Sequence, residues 1–209
     1  MLKDYKQFVT SKRAVFGGVG IQIETIAVHP LLMPFQRDIV RWACAKGRCA
    51  VFADTGLGKT YIQLEWARLM GKNTLIIAPL TVARQTVRMA NDISLEVRYV
   101  RSQDQVTPGH ALWITNYEMI EHFDASQFGA VVLDESSILK ALDGKTRRLL
   151  TDMFADTPYR LACTATPAPN DRTEIGNHAE FLSICKMNEM LAMFFVLSLI
   201  HISEPTRPY

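Results

Sequence analysis

The stretch ADTGLGKT (53–60) decides how this chain reads. It follows a short apolar run, CAVFA (49–53), and opens an amphipathic one over 58–70. Gly56 and Gly58 permit the backbone conformations that turn N–H groups inward around an anion. Lys59 and Thr60 come directly after them. This is the pattern of a phosphate-binding loop, with Ala53 where the first glycine usually stands. Such a loop works between a strand and a helix, because the helix N-terminus adds its positive end to the cradle. Thr55, Gly56, Leu57, Gly58, Lys59 and Thr60 would then wrap the phosphates of a nucleotide. Lys59 would reach the β- and γ-phosphates, and Thr60 would offer its hydroxyl to magnesium. A glycine turn ahead of an ordinary helix is the plainer reading of the same residues.

Working outward, short apolar runs alternate with longer amphipathic ones. Strands are expected at 49–53, 73–79, 95–100, 111–116, 130–135 and 159–165. Helices are expected near 35–46, 58–70, 81–91, 117–122, 144–154 and 173–184. Several of the strand runs are continuously apolar and β-branched, as in strands buried on both faces. The alternation predicts an α/β fold with a mostly parallel sheet flanked by helices on both faces. Ligands of such sheets bind beyond the carboxyl ends of the strands, and the polar motifs fall there.

One of those motifs is VVLDESS (131–137). Asp134 and Glu135 close a buried strand. One carboxylate can hold magnesium beside the phosphate-loop threonine. The next can accept the proton of an attacking water. The simpler alternative is a strand end followed by a helix cap at Ser136 or Ser137.

Bulk properties bound the rest. The 209 residues are 48% hydrophobic and 21% charged, enough for the core of one domain or a small pair. A formal charge of +2 is too near zero to announce a nucleic-acid partner by itself. Cys44, Cys49, Cys163 and Cys185 form no C-x-x-C pair and read as reduced thiols of a cytoplasmic protein. The N-terminus carries charges and no apolar signal core. The longest nearly uncharged run, 190–202, is shorter than the roughly 20 residues of a membrane span, so no membrane association is expected. The histidines lack ligand spacing, and His178 reads as a structural helix residue. The basic segment KTRRLL (145–150) reads as a solvated face or, alternatively, a DNA-facing one.

PFQ (34–36), TGLGKT, ITNYEM (114–119), LDESSILK (133–140) and RLACTATPAPND (160–171) occur in that order. Together they resemble the first RecA-like motor lobe of superfamily 2 helicases and translocases, closest to the Swi/Snf-like type of phages and prophages. The resemblance covers about Leu31 to Val196. It implies an ATP-dependent DNA motor using ATP and Mg2+, with double-stranded DNA as partner. Gln36 would read the adenine edge with Phe35 nearby, and Lys59, Asp134 and Glu135 would be catalytic. Thr164 and Thr166 would couple nucleotide state to the grip on DNA. Thr81, Arg84, Thr115 and Asn116 would touch the nucleic-acid backbone, although Arg84 fits a solvated face as well. The motif D-E-S-S differs from D-E-A-D and D-E-A-H, which points away from RNA helicases of that type.

The implied organisation is an N-terminal extension (1–30), the ATP-binding lobe (31–184), and the start of a linker (185–196) toward a second lobe in cis that these residues do not contain. LSLIHISEPTR (197–207) matches, residue for residue, the translation of a widely used transposase sequencing adapter. Residues 197–209 are therefore read as a non-native tail, the alternative being an exposed natural one. A fragment lacking the second lobe is expected to hydrolyse ATP poorly. A single-lobe nucleotide switch and the motor lobe of a restriction–modification complex are the competing functions.

Overall fold

The computed structural model describes residues 18–109, 111–140, 144–168 and 174–194. The tail 197–209, the end of the linker beyond 194 and the first 17 residues lie outside them. Six strands form one sheet: β1 (Arg48–Phe52), β2 (Thr74–Ala78), β3 (Arg98–Tyr99), β4 (Leu112–Asn116), β5 (Ala130–Asp134) and β6 (Tyr159–Thr164). Their spatial order is β1-β6-β5-β2-β4-β3, and every neighbouring pair is parallel. The helices are α1 (Pro34–Lys46), α2 (Lys59–Met70), α3 (Leu80–Asp92), α4 (Lys145–Met153), α5 (Ile175–Phe181) and α6 (Met187–Phe194).

The continuous apolar runs are explained by a core on each side. Ile76, Ile114, Val132 and Leu161 point into one buried cluster with Val40, Ile62 and Ala83 from α1, α2 and α3. Their chain neighbours Leu75, Trp113, Val131 and Ala162 point into the other, with Leu150 of α4 and Phe181 of α5. Period-two side chains thus feed two cores at once, which forbids polar alternation in the middle strands.

Three expectations change in detail. The strand expected at 95–100 shrinks to Arg98–Tyr99, an edge pair whose only strand partner among the described residues is β4. The helix expected at 117–122 is a 3-10 helix. The helix expected at 173–184 ends at Phe181, because Ser183 turns left-handed at φ 50° and Ile184 N–H closes onto Ala179 O at 3.0 Å, a common way to stop a helix. Residues 18–30, read as part of an extension, pack against the lobe. Val28 is buried. His29 N–H donates to the fully buried Glu65 at 2.7 Å, and Arg68 binds both that carboxylate and Ala27 O. No helix among the described residues is long and apolar enough to cross a membrane. All four cysteines are free thiols, and burial pushes Cys44 and Cys49 up to about 12.

Candidate active site

β1, β5 and β6 end side by side, so the segments that follow them converge. Ala53 N–H donates to Thr164 O at 3.2 Å, fastening the start of the phosphate loop to the end of β6. The loop turns through Gly56 (φ 84°) and Gly58 (φ 72°) into α2. At Gly58 the backbone is left-handed, and a Cβ there would lie 2.3 Å from the tip of the Gln36 side chain, Nε2, which would have to shift. That amide is held in place, donating to Leu57 O at 3.0 Å while its oxygen accepts from Met33 N–H at 2.9 Å. Gln36 is buried and Phe35 beside it is 40% exposed. Lys59 folds back over the loop, its Nζ donating to Ala53 O at 2.8 Å and Asp54 O at 3.1 Å. Thr55, Gly56 and Leu57 are exposed, so the loop is open to a ligand.

The acidic pair stands at the end of β5, which β6 separates from β1. Asp134 is buried, and its Oδ1 accepts from Gln63 Nε2 of α2 at 2.7 Å and from Glu135 N–H at 3.0 Å. Burial raises the Asp134 carboxyl above the ordinary aspartate value, with the Gln63 hydrogen bond opposing. Glu135 adopts a left-handed backbone (φ 55°), unusual for a residue with a side chain. Its Oε1 accepts from Ser137 Oγ and Thr164 Oγ1, each at 2.7 Å. Thr166 N–H donates to Thr164 Oγ1 at 3.0 Å. Tyr117 Oη donates to Asp134 O at 2.7 Å. Ser136 Oγ and His178 Nε2 meet at 3.0 Å in the interior, and the His178 ring packs edge-on to Phe52 at the end of β1.

The donor set fits a nucleotide with magnesium. Among the described residues no three His, Cys, Asp or Glu side chains cluster as a cage. Magnesium at a phosphate site is usually held by one or two protein oxygens plus phosphate and water. The Thr60 hydroxyl and the Asp134 carboxylate are oxygen donors of that kind. Asp134 Oδ2 and Glu135 Oε2 accept no hydrogen bond from the described residues.

Phe35, Gln36, the loop 55–60, Asp134, Glu135, Thr164 and Thr166 are therefore gathered at one end of the sheet. The four nucleic-acid candidates divide. Thr81 and Arg84 are exposed on α3. Thr115 is fully buried in β4 and its hydroxyl has no partner among the described residues, so it offers nothing to a phosphate from this arrangement. Asn116 is buried as well: its oxygen accepts from Tyr99 Oη at 2.6 Å and its amide donates to Glu118. The sequence reading missed Gln63, Tyr117 and the Ser136–His178 contact. Gln63 had one available signal, a polar residue one turn beyond Lys59 in a stretch that is otherwise core.

No protein-family model matches the chain. Its fold is that of a RecA-like helicase lobe. The SWI2/SNF2 ATPase core of Sulfolobus solfataricus, solved with double-stranded DNA, superposes with a TM-score of 0.69 at 18% identity, covering 84% of this chain and 41% of that one. The UvsW helicase of bacteriophage T4 superposes with a TM-score of 0.57 at 15% identity, covering 87% and 65%. In sequence, the DNA annealing helicase and endonuclease ZRANB3 of Bos taurus is 26% identical over 155 residues, which is 66% of this chain. The chain spans 14% of the length of that relative. The structural likeness to these helicase cores is one of fold, and the sequence likeness to a helicase extends over 155 residues.

Proposed function

We propose that this chain is the first motor lobe of an ATP-dependent DNA translocase. The observation that carries the reading is the convergence of the phosphate loop, the acidic pair and the 164–166 turn, joined by the Thr164–Glu135 hydrogen bond. In this reading the N–H groups of the loop hold the phosphates, and Lys59 exchanges the Ala53 and Asp54 carbonyls for β- and γ-phosphate oxygens. Gln36 reads the adenine edge by giving up one of its two backbone partners, with Phe35 exposed beside it. Thr60 and Asp134 would hold magnesium, which when bound would neutralise charge on the phosphate oxygens. Glu135, anchored through Oε1, keeps Oε2 for the proton of the attacking water.

Duplex DNA is the proposed track, lying against the solvent face of α3 where Thr81 and Arg84 stand. A second lobe in cis would close the cleft and supply arginine to the transition state, a contribution worth roughly 10³–10⁵ in rate. The test is binding of a fluorescent ATP analogue to the 209-residue chain, followed by steady-state ATPase with and without duplex DNA. Magnesium-dependent nucleotide binding with low turnover is expected. Failure to bind nucleotide overturns the reading. Robust DNA-stimulated turnover by this chain alone overturns the requirement for a second lobe.

A further inference from the structure

Gln63 is a fully buried polar side chain beside the acidic pair. It lies in α2, one turn beyond Lys59 and Thr60, and is 0% exposed. Its neighbours Ile62, Leu64 and Trp66 are equally buried and apolar. A leucine or methionine would suit such a position better if packing were the only demand, because a buried amide must find partners. Its Nε2 donates to Asp134 Oδ1 at 2.7 Å across 71 residues of sequence, its side chain also meets the Cys163 thiol, and its Oε1 has no partner among the described residues. The 2.7 Å hydrogen bond of this core amide runs to the acidic pair.

The consequence falls on Asp134. Oδ1 already receives two hydrogen bonds, from Gln63 and from the Glu135 N–H. Only Oδ2 remains for a ligand, and the fixed Oδ1 sets the rotation of the carboxylate. Lys59 and Gln63, four residues apart, share one helix face. α2 therefore carries a phosphate-loop lysine and the support of the acidic residue as one rigid unit. We infer that Gln63 is a positioning residue that makes Asp134 a one-oxygen magnesium ligand and locks it to the phosphate-loop helix. This rests on the nucleotide-site reading above.

The experiment compares the 209-residue chain with Gln63→Met, which keeps the volume and removes the donor. Affinity for a fluorescent ATP analogue is measured in excess magnesium and again in EDTA, and the ratio is the readout. In the wild-type chain magnesium should tighten binding. In Q63M that gain should fall at least fivefold while the EDTA affinity stays within twofold. A residue that merely filled space would move both affinities together or neither. Should Q63M fail to fold, Gln63→Leu serves the same comparison, and failure of both to fold would assign Gln63 to stability and overturn the positioning role. An unchanged magnesium gain in a folded variant overturns this inference alone. Absence of any nucleotide binding in the wild-type chain overturns the site reading and this inference with it.

Discussion

Thr164 Oγ1 donates a 2.7 Å hydrogen bond to Glu135 Oε1, linking the ends of two adjacent parallel strands across 29 residues of sequence. The same hydroxyl accepts from Thr166 N–H. A change in the 164–166 turn is therefore felt at the Glu135 carboxylate through two successive hydrogen bonds. Ser137 holds that carboxylate oxygen from the other side. The left-handed backbone at Glu135 costs roughly 1 kcal/mol or more, and these bonds help to hold it.

If Glu135 is the base, Glu135→Gln in a chain extended to both lobes should lower turnover by roughly 10²–10⁴-fold and leave nucleotide affinity nearly unchanged. Thr164→Val should lower turnover by a smaller factor, about tenfold, because the carboxylate keeps its charge and loses one guide. Turnover and analogue binding measured on the same preparations check both. Equal loss of binding and turnover would show that the two residues serve the fold or the nucleotide rather than the chemical step.

Lys59 rests on two loop carbonyls rather than on a carboxylate. Those carbonyls lie at an open loop and can return to water. Lys59→Ala should therefore weaken nucleotide binding by more than about tenfold, the loss of a charge-assisted contact, with little change in thermal midpoint. Thermal unfolding with and without nucleotide reads both effects, since ligand stabilisation follows affinity. A large drop in midpoint without nucleotide would reassign Lys59 to holding the loop.

Asp134 gives a pH signature with a definite sign. Burial raises its carboxyl in the folded chain. Between the ordinary aspartate pKa and the raised one, the folded chain holds a proton that the unfolded chain has released. Stability falls as pH rises through that window, and the cost is fully present above it. Asp134→Asn keeps an oxygen for Gln63 and the Glu135 N–H and removes the buried charge. The variant should melt higher than the wild type near neutral pH, with the gap closing in acid below the ordinary aspartate value. A lower midpoint at neutral pH would mean that the hydrogen bonds to the charged form outweigh its desolvation.

The sheet and the phosphate loop were legible because their causes are local. Continuous apolar runs such as NTLIIAP announce strands buried on both faces, and Gly56, Gly58 and Lys59 specify a loop by backbone freedom and charge. The short β3 was not legible, since Leu95, Val97 and Val100 look like strand residues wherever they pack. The stop at Phe181 depends on a left-handed Ser183, which no glycine or asparagine signals. The partners of Gln63 and His178 were beyond reach for another reason, although the one stood out as polar and the other read as a structural helix residue. Their roles come from partners 71 and 42 residues away, and spacing along the chain carries no mark of such a meeting. Thr115 shows the opposite difficulty: a residue type suited to phosphate contact lies fully buried near the end of β4, where type alone says nothing about access.

Thr115 supplies the last prediction. Its hydroxyl is buried without a partner among the described residues, a condition that costs about 1–3 kcal/mol. Valine has the same shape and the higher strand preference. Thr115→Val should therefore stabilise the chain by about 1 kcal/mol, a rise of roughly 2–4 °C in midpoint for a domain of this size. Binding of duplex DNA by a two-lobe protein should be unaffected, whereas Arg84→Ala on the exposed face of α3 should weaken it and flatten its salt dependence. A stabilised T115V with reduced DNA affinity would mean that β4 opens in the working motor and brings the hydroxyl to the backbone. A destabilised T115V would mean that an interior water satisfies the hydroxyl, and high-resolution density at that position would then show it.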